Sequence, residues 1–352
     1  MRKNIKNKLS QIAMVKLFSR VLTLLLLTLP LAAAGFYDIS DPSMGTYEGF
    51  WTAKNGAKGR LVAQIRPISN NQYDGFVLLM RSKVPVAAFT LQPSSPDGGG
   101  LKFTGATLSK DAQGDLLGKT EANCELLHEK LSGKFSGDLG EGTFEASKTE
   151  LKSPTVGAKP SRHAIVLLDA KPSDQWKDFN WKVTPEGMQV GSGDLRTTEK
   201  LANFRLHLEF RTPYMPSATG QMRGNSGVYL QSKYEVQVLD SFGLYPLQDN
   251  DCGGIYKIQA PRVNACYPPM TWQTYDITFV AANPTQGTLP TITVDQNGVR
   301  IIDHVKVPKA LVDSGTPGGD ADGGFLKLQD HGNAVQYRNI WAEPIFSVEK
   351  KR

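Results

Sequence analysis

Residues 203–211 read Asn-Phe-Arg-Leu-His-Leu-Glu-Phe-Arg and alternate without a break. Phe204, Leu206, Leu208 and Phe210 fall on one side; Arg205, His207, Glu209 and Arg211 fall on the other. Successive side chains of a strand point to opposite faces, so this period of two specifies a strand with one apolar face. Such a face needs a second layer to bury it.

Other segments carry the same signature. Thr274–Phe279 is a run of β-formers, and Thr291–Val294 leads to Asn297-Gly298, a hairpin turn from which Val299-Arg300-Ile301-Ile302 returns. Val335–Trp341 closes the series. Long helical periodicities are scarce, and 34 Gly and 21 Pro favour short strands and turns. The expected architecture is all-β, with a jelly-roll β-sandwich over 161–346. Before it, residues 36–150 alternate at Leu61–Ile65, Gly75–Leu79 and Lys134–Gly137, separated by turns such as Asn70-Asn71 and Asp97-Gly98-Gly99-Gly100. They predict a small antiparallel β domain, in the manner of a partial barrel. Tyr47, Phe50 and Trp51 there read first as core aromatics, with a sugar platform as the alternative. The 151–160 stretch, with two Pro and one Gly, reads as a linker.

The net charge of +6 does not indicate nucleic acid. Six positive residues and no acid lie within the first twenty positions, so the rest of the chain is near neutral. That leader has the parts of a signal peptide over 1–34: the basic stretch, the apolar run Val21–Leu31, and Ala32-Ala33-Ala34 for cleavage. The apolar run is shorter than the ~20 residues that span a bilayer. Export to the periplasm or the extracellular space is expected, with no transmembrane segment after cleavage. Of the three cysteines, Cys252 and Cys266 lie in one loop-rich segment and are able to pair, while Cys124 is left over.

The stretch richest in chemistry is Gly224–Gln231 followed by Tyr234-Glu235-Val236-Gln237-Val238-Leu239-Asp240. Glu235 and Gln237 share one face of a strand, and Tyr234, Val236 and Val238 the other. Strict alternation would put Asp240 on the apolar side, where an unpaired charge is costly. A β-bulge near Leu239 would turn it back.

The region from about 162 to 344 resembles the 3-keto-disaccharide hydrolase domain family. The resemblance rests on Phe210-Arg211, Asn225-Ser226-Gly227-Val228-Tyr229, the Tyr234–Ser241 strand, Cys252-Gly253-Gly254-Ile255-Tyr256, and Trp272 with Tyr275. Leu328-Gln329-Asp330-His331-Gly332 and Arg338-Asn339-Ile340-Trp341 complete it. It implies a concanavalin-like sandwich related to family 16 glycoside hydrolases, a carbohydrate substrate, and cleavage of the glycosidic bond of 3-keto-disaccharides or related glycosides. One family 16 subgroup carries Glu-x-Asp-x-x-Glu on its reacting strand; here the spacing holds as Glu235-x-Gln237-x-x-Asp240. Gln237 cannot relay a proton, which turns the reading away from double displacement. A 3-keto sugar offers another route. The ketone acidifies the C2 proton, a base removes it, and the C1 leaving group departs.

On this reading Glu235 is the base, with Asp240 or His331 as the acid. Arg211, Asn225, Gln237, Gln329 and Arg338 are expected to bind substrate, Arg338 with the added prospect of pairing Glu235. Solvated charges on an exposed strand and a structural turn histidine are the plainer alternatives, and Trp272 reads first as core, with a sugar platform as the alternative. A non-catalytic carbohydrate-binding sandwich is the alternative for the whole domain. No motif requires a cofactor. A divalent cation stays open at Asp320-Ala321-Asp322-Gly323-Gly324, which reads first as a turn.

Overall fold

The computed structural model describes residues 41–345, apart from 112–113, 170 and 308–322. The 1–34 leader and Asp320–Asp322 lie outside the described residues. The first strands are β1 (Gly45–Ala53), β2 (Lys58–Ile68), β3 (Gln72–Arg81), β4 (Val84–Ser94), β5 (Leu101–Thr107), β6 (Thr120–Leu127), β7 (Lys130–Gly137) and β8 (Gly142–Thr149). They pair in sequence order, and β8 returns to β1, so the small β domain is a fully closed antiparallel barrel. β6 shows why it closes around a filled interior. Thr120, Ala122, Cys124 and Leu126 are buried while Glu121, Asn123, Glu125 and Leu127 face out. Tyr47 and Trp51 are fully buried in that interior, whereas Phe50 is 70% exposed on the outer wall. Asn70 and Asn71 both adopt φ near +60°, the left-handed pair that a tight β2–β3 hairpin requires.

The remaining strands are β9 (Ile165–Leu168), β10 (Trp176–Lys177), β11 (Lys182–Thr184), β12 (Gly187–Gln189), β13 (Leu195–Leu201), β14 (Phe204–Arg211), β15 (Ser226–Leu230) and β16 (Tyr234–Val238). They are followed by β17 (Gln273–Val280), β18 (Thr291–Gln296), β19 (Val299–Lys306), β20 (Gly324–Leu328) and β21 (Gln336–Pro344). They form two sheets, β10-β13-β20-β15-β16 and β11-β12-β21-β14-β17-β18-β19, with β9 also pairing β21. The sheets bury one shared core, in which Phe204, Leu206, Leu208 and Phe210 of β14 meet Val228, Val236 and Val238 of the opposite sheet. The chain is thus an all-β protein in which a small antiparallel domain precedes a concanavalin-like jelly-roll sandwich.

The barrel braces the sandwich through a few buried polar contacts. Gln64, only 4% exposed, donates from Nε2 to the Cys266 carbonyl (3.1 Å) and accepts the Gly243 N–H at Oε1 (3.0 Å). Tyr245 packs on Phe76 of β3 with ring centroids 5.3 Å apart.

Residues 151–160, expected as a linker, are laid across the outer face of β14, β17 and β21. Thr155 Oγ1 donates to Asp276 (2.8 Å), Gly157 N–H to Glu209 (2.6 Å), and Asn339 Nδ2 to the Ala158 carbonyl (3.0 Å). Under this strap His207 and Glu209, on the side of β14 opposite its apolar face, are 0% and 1% exposed. His207 Nδ1 lies 2.7 Å from Asp276, and its ring stacks on Trp341.

Burial alone would push the Glu209 carboxyl up. Hydrogen bonds from His207, Asn339, the Gly157 amide and Arg338 outweigh it and hold the pKa at about 2. Since that lies below the unfolded value of 4.5, this stabilisation is complete above pH 4.5 and is lost as pH falls towards 2. His207 has the opposite sign. Burial lowers it, but its bonds to Asp276 and Glu209 leave it raised, so its contribution is complete below the ordinary histidine range and fades as pH rises through the folded value. Urea unfolding at stepped pH should show the wild type losing roughly 3 kcal/mol between pH 4.5 and 2 relative to Glu209→Gln. Parallel curves would remove the strap's proton linkage.

Candidate functional site

β16 is paired on both edges. β15 lies on one side, with Tyr229 opposite Glu235 and Gly227 opposite Gln237. On the other side the 253–256 loop supplies backbone partners. Gly253 N–H donates to the Gln237 carbonyl, Gln237 N–H to that of Gly254, and Tyr256 N–H to that of Glu235, at 2.9–3.0 Å. The β15–β16 turn places Gln231 and Ser232 at φ +53° and +54°, positions unfavourable for side-chain-bearing residues. Gln231 Nε2 donates to the Leu201 and Ala202 carbonyls and Ser232 Oγ to that of Phe325, which hold the turn in place. The hairpin register that opposes Tyr229 to Glu235 is fixed by these contacts.

Glu235 and Gln237 face away from the core, on the outer side of their sheet. The Glu235 carboxylate folds over Gly227, where an added Cβ would stand 2.3 Å from its Oε1. Tyr229 donates its phenol to Glu235 Oε2 (2.8 Å), and Gln329 Nε2 donates to the Tyr229 hydroxyl (3.1 Å). The Lys327 ammonium sits 3.9 Å from the Tyr229 ring centroid and 2.7 Å from Asp194. Lys177, Arg196, Lys327, Tyr229 and Glu235 are cross-strand neighbours, forming one row across the sheet. Beside that row a groove of about 450 Å³ is lined by Lys177, Asp194, Arg196, Ser232 and Lys327 among others.

A chain of amides continues from the carboxylate. Gln237 Nε2 donates to Gln221 Oε1 (2.9 Å) and to the Asn250 carbonyl (3.2 Å). Asn225 Nδ2 donates to the Gln221 carbonyl (2.7 Å), and Asn225 N–H to Asn333 Oδ1 (2.7 Å). The amide oxygens of Asn225, Gln237 and Gln329 are buried and accept no hydrogen bond from the protein. A buried acceptor left so costs about 1–3 kcal/mol, which a hydroxyl-rich ligand would offset. His331 is exposed in the loop between Gln329 and Asn333, at the rim of this cluster.

Three expected site residues lie elsewhere. The β15–β16 ladder ends at the Ser226–Val238 pair with its register unbroken, and beyond it Asp240 N–H donates to the Arg223 carbonyl. Asp240 is therefore past the end of β16 and is not presented beside Glu235 and Gln237 as an acid. Its carboxylate is 2.7 Å from Arg223 Nε, with both side chains at most 3% exposed, and it also takes the Phe242 N–H. Arg223 in turn donates to the Pro67 carbonyl of the barrel (3.2 Å), so the pair anchors the loops below the site. Arg211 and Arg338 belong to the outer face of the other sheet, across the core from Glu235. Arg338 Nε binds Glu209 (2.6 Å), not Glu235, because β14 and β21 are neighbours and set those two residues opposite each other. Arg211 binds Glu186 and Gln336. Trp272, expected in the core, lies under these two guanidiniums at 4.0 and 4.7 Å.

Tyr229, Gln221, Asn333 and Lys327 are the members of the cluster that sequence reasoning missed. Tyr229 was within reach, because a large aromatic between Val228 and Leu230 must face away from the core. Larger grooves, up to about 700 Å³, lie on the barrel's outer wall but gather no comparable carboxylate–phenol pair. Among the described residues, no group of three or more His, Cys, Asp or Glu is placed to hold a metal ion, and no helix is long and apolar enough to cross a membrane.

An all-β sandwich with this outer-face cluster is glycoside hydrolase-like. The chain belongs to the 3-keto-alpha-glucoside-1,2-lyase-like domain family, whose model matches residues 163–343, just over half of its length. Among solved structures it is similar to a candidate glycosyl hydrolase from Parabacteroides distasonis at 34% identity, covering 52% of this chain and 84% of that one, with a TM-score of 0.48. A second from the same organism is 18% identical, covering 56% and 99% at a TM-score of 0.41. No curated protein matches the chain.

Replacing Arg223 strands a buried carboxylate. Arg223→Met should destabilise the protein by about 3–5 kcal/mol, read by urea unfolding, and Arg223→Met with Asp240→Leu should regain much of that. A single variant as stable as wild type would rule out the anchoring role.

Proposed function

We propose that the sandwich cleaves the glycosidic bond of 3-keto-disaccharides or related 3-keto glycosides, with Glu235 as the base. The observation that carries this reading is the Tyr229–Glu235 hydrogen bond, set beside three buried amide oxygens without donors. Family membership supports the substrate class. The ketone at C3 makes the C2 proton removable. Glu235 takes it, the electron pair forms the C1–C2 double bond, and the C1–oxygen bond breaks. The leaving oxygen takes the Tyr229 proton, and protonated Glu235 returns a proton to Tyr229 along their hydrogen bond. Both groups thereby regain their starting states. Water addition to the enone turns the elimination into net hydrolysis. The amides of Asn225, Gln237 and Gln329 orient the sugar hydroxyls, and His331 reaches the substrate from the rim. Asp240, held by Arg223, is left out of the chemistry.

Double displacement is the weaker reading, since it needs a second free carboxylate across the bond and the nearest expected one is ion-paired. A carbohydrate-binding protein without activity would show binding and no cleavage of either keto or ordinary disaccharides.

With a 3-keto-disaccharide as substrate, Glu235→Gln should lower kcat by about 10²–10⁴-fold with KM little changed. Gly227→Ala keeps the carboxylate but displaces it, and should lower kcat as well. Wild-type turnover by Glu235→Gln would sink the assignment. We further propose that the chain is exported, on the strength of its leader sequence. Protein recovered outside the cytoplasm should begin at Gly35, and a mature product retaining Met1 would overturn that.

A further inference from the structure

Behind β16, on its core side, lies a reactive pair that the sugar chemistry leaves unused. Cys252 and Cys266 are 0% and 1% exposed, and both are free thiols. They share the apolar core with Val236 and Val238. One amide bridges them: Gln296 Nε2 is 3.6 Å from Cys252 Sγ and 3.5 Å from Cys266 Sγ. The Tyr275 hydroxyl stands 3.1 Å from Cys252 Sγ and donates to the Gln237 carbonyl (2.6 Å).

Their environments are unequal. Burial alone would raise Cys252, but hydrogen bonds from Cys266, Tyr275, the Leu239 amide and Gln296 outweigh it and lower its pKa. Cys266 is raised, by its hydrogen bond to Cys252 and by burial. The geometry is what favours pairing: the folded chain gathers both sulfurs around the single Gln296 amide. The third cysteine, Cys124, sits in the barrel core, where burial pushes its thiol up to about 12.

We propose that Cys252 and Cys266 form a disulfide when the chain folds in the presence of a disulfide donor, closing the 252–266 loop. The donor is a glutathione-type disulfide or an oxidised protein dithiol. One of the two cysteines, as its thiolate, attacks one donor sulfur and releases the other as a thiolate. The second cysteine, losing its proton to that leaving sulfur or to solvent, then displaces the donor from the first. Two protein thiols are oxidised and one donor disulfide is reduced to two thiols. Burial of both sulfurs in the folded state means that the exchange occurs before the loop closes.

The bond would clamp the wall of the reaction strand. The closed loop contains Gly253, Gly254 and Tyr256, which hold the free edge of β16, and it ends at the carbonyl that Gln64 of the barrel grips. The geometry behind this pair is independent of which glycoside the outer face accepts.

The test is thiol counting on the full chain. Protein refolded from denaturant in mixed reduced and oxidised glutathione is acid-quenched, denatured, alkylated and analysed by peptide mass. The expected result is alkylation at Cys124 alone, with the Cys252 and Cys266 peptides linked and two hydrogens lighter than the dithiol. Cys266→Ser should abolish the link. Should refolding fail, the same count on protein expressed in a bacterial periplasm decides the matter. Alkylation of all three cysteines, or a link through Cys124, overturns the proposal. The oxidised form should melt roughly 5–10 °C above the reduced form, and equal midpoints would overturn the clamping role.

Discussion

The three backbone hydrogen bonds from the 253–256 loop turn β16 from the edge of its sheet into an inner strand. An edge strand offers free backbone groups to solvent or to another chain, and its side chains wander with it. Here both carbonyls that flank Val236 are taken by the loop, and the other edge is zipped to β15. The side chains of Glu235 and Gln237 therefore project from a backbone fixed on both sides. Placing a carboxylate within hydrogen-bond reach of a phenol depends on this fixation more than on the two side chains themselves. The strand ends at Val238. From there the chain enters the buried Arg223–Asp240 pair, which ties the loops under the cluster to the barrel.

The legible part of this structure was the part governed by alternation. β14, the Asn297-Gly298 hairpin, the outward pairing of Glu235 with Gln237 and the break near Leu239 follow from side-chain period and from the cost of burying a lone charge. The partners of individual polar groups were not legible. Arg338 and Glu235 look like complements in sequence, yet the order of strands puts them on opposite outer faces. Asp240 matches a catalytic spacing, but Arg223 sits seventeen positions earlier and nothing local announces that the two meet. The same holds for residues 151–160. Their composition reads as a spacer, because the acceptors and donors that pin them, Glu209, Asp276 and Asn339, are contributed by three separate strands. Closure of the barrel was equally hidden, since it depends on β8 finding β1 across the whole domain.

Contact between the two modules also changes what the barrel is for. Gln64 holds the loop on both sides of the site's back wall, at Gly243 and at Cys266, from a single buried side chain. A buried amide that satisfies two backbone groups of a neighbouring module fixes their separation to hydrogen-bond precision. The barrel is thus part of the support for the outer-face cluster, and the sandwich alone would lose a restraint on the strand that carries Glu235.

The strap over β14 gives the sandwich a front and a back. A two-sheet sandwich has two outer faces, and polar rows on each, Glu235 with Tyr229 on one and Glu209 with His207 on the other, make similar invitations to a sugar. The segment leaving the barrel seals the second row. On the first row Glu235 is itself buried, and Tyr229 stays partly exposed. An insertion that lengthened this segment would threaten that asymmetry, uncovering a second acidic surface while every residue of the first stayed in place.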